Sequence, residues 1–259
     1  MLSIQTIFSS VEHFFIIYLL LFVVMIILRC SKIYKSKELF LSSVIMTIQL
    51  ILAGFILTLL FENPHPLFCL AYILIMITLA TKRILVKSPA FPKAFQIRVA
   101  LVFIGTSLFV STYFITLVLQ ENLLNPQFLI PITGMLIGNA MTGFNLALKT
   151  LHEQLHTNTD KINCLIMLGI HPKKILYPFI VSSLETALIP TINSMMSMGF
   201  IILPGMLTGQ ILAGAIPTTA IFHQIAITIA ICITVALSVF LGLHFAQFTL
   251  YKKNLKIIL

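Results

Sequence analysis

Apolar residues run along this chain in long blocks, not in the short periods of half-buried strands or surface helices. Seven blocks approach the length a helix needs to cross a bilayer, near residues 11–28, 39–61, 66–81, 94–119, 127–148, 179–203 and 218–249. The pattern predicts an all-α integral membrane protein of about seven spans, forming one transmembrane domain over residues 1–259. Two blocks depart from the ideal length. The uninterrupted part of the third, Phe68 to Ala80, gives about 20 Å of helix, so the bilayer would thin or Lys82 and Arg83 would snorkel. The last block would run to about 48 Å and is expected to tilt or project. Residues 203–217 are apolar yet rich in Pro and Gly, and too short to cross again. Irregular backbone at that depth needs protein cover or a wet cavity, which predicts a broken or re-entrant stretch after helix six.

Composition sharpens this reading. With 59% hydrophobic and 9% charged residues, the chain is no water-soluble enzyme. Seven spans leave about 120 residues for loops and ends, too few for a nucleotide-hydrolysing domain. Neither a G-x-x-x-x-G-K-[ST] loop nor a G-x-G-x-x-G turn occurs. The net charge of +9 would suggest nucleic acid in a soluble protein, but its distribution says otherwise. All 16 Lys and Arg fall in residues 29–38, 82–98, 149–178 and the tail after 250, and none in the alternate connections. Basic loops resist translocation, so this asymmetry places the N-terminus outside and the C-terminus in the cytoplasm. The first block lacks a basic leader and is followed by basic residues, as expected of a retained span. Cys30, Cys69, Cys164 and Cys232 have no paired spacing and are expected as free thiols.

Polar residues inside the blocks are the candidates for a pathway. Glu185 is the one acid within a span, where ionisable groups are costly; it either serves function or snorkels and pairs with Lys173 or Lys174. Gln49, Asn139, Asn193, Gln210 and Gln224 join it as candidate pathway residues, each equally explained as an interhelical hydrogen bond. Gly134-Met-Leu-Ile-Gly138 is echoed by Gly205-Met-Leu-Thr-Gly209, each after a proline (Pro131, Pro204) and before an amide (Asn139, Gln210). With Gly214 these small residues suit close helix packing, or alternatively an outer gate. His152-Glu153-Gln-Leu-His156 satisfies the zinc-protease pattern H-E-x-x-H, yet it lies in a polar cytoplasmic stretch without an evident third ligand. Met195-Met196-Ser197-Met198 could ligate a soft metal or simply pack.

The cytoplasmic segment 149–178 carries a turn, Leu168-Gly169-x-x-Pro172-Lys173, where one short helix ends at the glycine and the next begins at the proline. Two short cytoplasmic helices, apolar on one face, suit docking into a groove of a partner. The turn resembles the coupling loop of ABC transporter permeases. The segments 130–141, Ala187-Leu-Ile-Pro190-Thr191 and 203–214, with Pro217, Ala220 and Gln224, resemble the FetB-type iron-export ABC permease family, as does Gln49-Leu50 with Gly54. The resemblance implies a permease subunit in the bacterial inner membrane, paired with a second copy of itself. It implies export of iron or another metal ion, powered by a separate cytoplasmic ABC ATPase. ATP would be used by that partner, with no cofactor in this chain, and the contacts would be with lipid and protein, not nucleic acid. Four positions depart from the family pattern: Glu185 stands for Arg, Asn193 for Asp, Met196 for Lys and Ile45 for Arg. The alternatives are a membrane-embedded zinc metallopeptidase on His152, Glu153 and His156, and a channel or carrier that needs no ATPase.

Overall fold

The computed structural model describes residues 4–31, 36–62, 65–87, 91–120 and 125–250; side chains are described from residue 17 onward. Among these residues the chain is helical throughout, and six helices are long and apolar enough to cross a membrane. The chain divides into two units, Met1–Asn63 and Pro64–Leu259.

The first unit is a pair of helices, α1 (Ile4–Cys30) and α2 (Ser36–Glu62). α1 is the seventh long helix. The Tyr18 and Thr47 hydroxyls are hydrogen-bonded between the two. Leu50, Phe55 and Leu59 project from α2, as lipid-facing side chains do.

The second unit holds α3 (Pro66–Val86), α4 (Lys93–Tyr113), α5 (Pro126–Thr157), α6 (Thr159–Met167), α7 (Pro172–Ser197), α8 (Gly205–Leu212) and α9 (Pro217–Ala246). Three of these start the same way. Pro occupies the first helical position, where no N–H is needed, and the preceding side chain accepts the next free amide. Thus His65 Nδ1 accepts from Leu67 N, Asn125 Oδ1 from Gln127 N and His171 Nδ1 from Lys173 N.

α9 is the centre of this unit, packed on α4, α5 and α7, with α3 against the far side of α5. Two glycines allow the close approach of α5 and α9. A methyl on Gly143 would lie 2.6 Å from Val235 Cγ1, and one on Gly242 2.4 Å from Phe144 Cζ. The Phe144 ring is in turn met edge-on by Phe103 of α4, centroids 6.2 Å apart. At one end of the unit Arg98 donates to the Phe245 carbonyl and Lys173 lies over the Phe248 ring. Gln154 donates to Ser182 at the same end. The ends of α4, α5 and α7 that carry Lys and Arg therefore meet on one side with the C-terminal end of α9, as the charge asymmetry requires.

The helix bounds correct several expectations. α3 does not stop at Ala80; its 21 residues reach Val86, about 31 Å, because Lys82 and Arg83 continue the helix with exposed side chains. α5 runs nine residues beyond 148, about 13 Å past the expected end of the span. Residues 172–178 are not a separate short helix but the first turns of α7. That helix ends at Ser197, not 203, since Met198 is extended and Gly199 takes a left-handed φ of +97°. α4 ends in a π-helical turn at Phe114–Val118, within what reads as one span. The break after α7 forms as expected: a turn at 198–204, the short α8, and a second turn through Gly214 at φ +94°.

Candidate functional site

A cavity of about 350 Å³ lies between α5, α7, α8 and α9. It exists because the fourth wall is not a full helix. α7 stops at Ser197, and only the eight-residue α8 follows, so α5 and α9 are left uncovered beside it.

Each helix gives the cavity one stripe. From α5 come Met135, Asn139, Thr142 and Gly143; from α7 Ala187, Pro190, Thr191 and Ser194; from α9 Gln224, Thr228 and Ile231. The spacings are those of a single helix face. Pro204, Gly205 and Met206 close the end, and Met198 faces α9. Pro190 has no N–H to give the carbonyl four residues before it, which loosens the α7 ladder beside the cavity.

Among the described residues the lining carries hydroxyls, amides and thioethers, and no charged side chain. Gln224 and Thr228 form a hydrogen-bonded pair in it. Gln224 Nε2 donates to Thr228 Oγ1 at 3.1 Å, and Thr228 Oγ1 lies 2.7 Å from the Gln224 carbonyl and 3.4 Å from Met198 Sδ. Gln224 is 8% exposed, and its Oε1 has no hydrogen-bond partner among the described residues. Asn139 spends one amide hydrogen on the Met135 carbonyl at 2.8 Å.

Of the six residues proposed from sequence for a pathway, Asn139 and Gln224 line this cavity. Glu185 is exposed on α7 and Asn193 is exposed near its end. Gln210 is half-buried in α8 with Oε1 unpartnered, outside the lining. Gln49 lies exposed on α2, in the other unit.

The glycine echo separates into different jobs. Gly134 faces α3, where an added methyl would lie 2.9 Å from Met76 Cε. Pro204 and Gly205 line the cavity, while Gly138 and Gly209 face open space. Gly214 ends α8: its N–H bonds the Ile211 carbonyl and the Ala215 N–H bonds the Gln210 carbonyl, the paired closure of a helix C-terminus.

The same closure ends α6 on the basic side. Gly169, at φ +77°, bonds the Ile166 carbonyl, and Ile170 bonds the Leu165 carbonyl. Met167 and Leu168 are left 86% and 76% exposed just before it. Three residues after Gly169, Pro172 is buried and opens α7. Lys173 is engaged with the Phe248 ring at 5.7 Å.

His152 and His156 share a face of the last turns of α5, ring centroids 6.4 Å apart. His152 is half-buried and edge-on to Phe91, with Nδ1 unpartnered; His156 is exposed. Glu153 pairs with Lys149 at 3.7 Å on the exposed surface. Among the described residues no three His, Cys, Asp or Glu side chains gather to hold a metal ion.

Thr142, Thr191, Ser194 and Thr228 are cavity residues that a scan for amides and charges passes over. The signal was present as a helical stripe at 187, 190, 191, 194 and 198, polar or small at every position but the last.

The model of an uncharacterised protein family, UPF0014, matches residues 11–251, and the chain belongs to that family. It is 32% identical over 219 residues to the UPF0014 membrane protein YjkA of Bacillus subtilis, covering 83% of this chain and 86% of the relative. It is 28% identical to the Probable iron export permease protein FetB of Escherichia coli, covering 91% and 90%. Protein ALUMINUM SENSITIVE 3 of Arabidopsis thaliana is 29% identical, covering 70% and 65%. No solved structure matches.

Proposed function

We propose that this chain is the membrane-spanning permease subunit of an ABC-type exporter in the bacterial cytoplasmic membrane. It moves a metal ion, iron being the ion in the name of the E. coli relative. A separate cytoplasmic ATPase powers it, and two copies enclose the path.

One observation carries this reading: α7 joins the exposed turn to the cavity without interruption. Pro172 follows the Gly169 turn directly, and 19 and 22 residues later the same helix presents Thr191 and Ser194 to the cavity. At 1.5 Å per residue the separation is about 30 Å, the thickness of a hydrocarbon core. Pressure on Met167, Leu168 and Gly169 from a partner closing on ATP is delivered along one rod to the far half of the membrane. Pro178 and Pro190 give that rod two places to flex.

The charge asymmetry puts the turn on the cytoplasmic side, where ATP is, and no phosphate-binding loop occurs in the chain itself. Apolar side chains beside a left-handed glycine form a compact knob for a groove on such a partner.

The test is co-purification with candidate ATPases, followed by ATP hydrolysis in lipid with and without metal ions. A metal-stimulated rate that Gly169→Val abolishes, with α7 still folded, is the expected result. Stimulation unchanged in Gly169→Val would remove the turn from the mechanism.

A further inference from the structure

The cavity bears on which ion would be carried. Hard cations are held by carboxylates, carbonyls and water, and soft ones by thioether and thiolate sulfur. Among the described residues no carboxylate lines this cavity, and Glu185 is exposed on α7 outside the lining. Three of its fifteen lining residues are methionine, against 11 in 259 for the chain, an enrichment of about fivefold. Met135, Met198 and Met206 come from α5, the end of α7 and α8.

Methionine often fills irregular gaps, but gap-filling would consume the space, and about 350 Å³ is left here. The donors also have free lone pairs. Thr228 carries one hydroxyl proton, and the Gln224 carbonyl at 2.7 Å takes it in preference to Met198 Sδ at 3.4 Å. The sulfur therefore keeps its donor capacity. Gln224 Oε1, buried and without a donor, is a second acceptor in the same place.

A neutral ligand set also restricts charge. With no counter-charge in the lining, the cost of burying an ion rises as the square of its charge, which favours one unit over two.

We propose that the cavity holds the transported ion and that this ion is a soft monovalent cation of the Cu⁺ and Ag⁺ class. It is bound by the thioethers of Met135, Met198 and Met206 with the amide oxygen of Gln224. The proposal rests on the transport reading above and narrows its substrate.

Silver(I) is the probe, being redox-stable and diamagnetic. The full chain, labelled with ¹³C at the methionine methyls, is titrated with Ag⁺ in lipid nanodiscs and followed by NMR. The methyl signals of Met135, Met198 and Met206 should shift together and saturate at a common Ag⁺ concentration once the free thiols are filled, while those of Met46 and Met167 stay in place. Zn²⁺ should leave all five unmoved. Met198→Leu with Met206→Leu conserves volume and removes two sulfurs, and should weaken Ag⁺ binding by about tenfold or more. Shifts confined to other methionines would overturn the proposal, as would a double variant that binds as tightly as the original. Cysteine binding cannot imitate the expected pattern, because the readout is at the named methyl groups. ATP-driven transport of another ion without these shifts would refute only this inference. The shifts without any ATP-driven transport would refute only the transporter assignment.

Discussion

Adding one methyl at Gly242 should destabilise the protein through a single ring. The new Cβ would sit 2.4 Å from Phe144 Cζ and 2.7 Å from Cε2, well inside contact distance. Retreat is blocked. Phe144 is fully buried, and the equally buried Phe103 meets its ring edge-on. Either α5 and α9 separate or the ring leaves its rotamer, and overpacking of this kind costs about 1–3 kcal/mol. Shrinking the obstacle should relieve it: Phe144→Leu combined with Gly242→Ala should show a favourable coupling of about 0.5–3 kcal/mol relative to the single variants. Gly138 is the contrast, because nothing lies within 4 Å of its added methyl and it sits within α5. There alanine gains helix propensity, up to about 1 kcal/mol. Denaturant unfolding in mild detergent, followed by circular dichroism, measures all four proteins. Equal stability of Gly242→Ala and Gly138→Ala, or an absent coupling with Phe144→Leu, would refute the packing described for α5 and α9.

Other consequences are as direct. His171→Ala removes the acceptor for the Lys173 amide and should cost about 0.5–2 kcal/mol, read by the same unfolding assay. Glu153→Gln breaks only an exposed ion pair, so stability should change by less than about 1 kcal/mol, with no loss of ATP-driven transport. A loss of transport would revive the metal reading of His152 and His156. Thr191→Val with Ser194→Ala removes two cavity hydroxyls from α7 and should lower transport while leaving protein yield and unfolding midpoint unchanged.

Much of the architecture was legible in the sequence because the bilayer imposes one demand, a long apolar helix, and block length answers it. The turns were legible for a different reason. Gly169 and Pro172 have backbone chemistry that permits few conformations, and each ends or begins a helix where its chemistry says; Gly214, read as a packing or gate glycine, closes α8 instead. Span ends were less readable. Hydropathy reports where lipid begins, whereas α5 continues to Thr157 and α3 to Val86 because Lys, Arg, Gln and Glu are good helix formers in water too. The cavity was readable only in part. Asn139 and Gln224 stand out as amides in apolar runs, but which amides share a space depends on how α5, α7 and α9 are rotated. That rotation is set by contacts such as Phe144 on Gly242, which pair positions nearly a hundred residues apart. Glu185 shows the converse, a residue conspicuous by charge whose helix face turns it away from the cavity.

As proposed here, this chain would form a path for a metal ion driven by a partner's ATP hydrolysis. Inside-out membrane vesicles containing the chain and its ATPase test it most directly, by measuring ATP-dependent accumulation of radiolabelled silver and iron. Accumulation should require both ATP and this chain and be lost in Gly169→Val. Accumulation that proceeds without ATP, or to the same extent in vesicles lacking the chain, would contradict it.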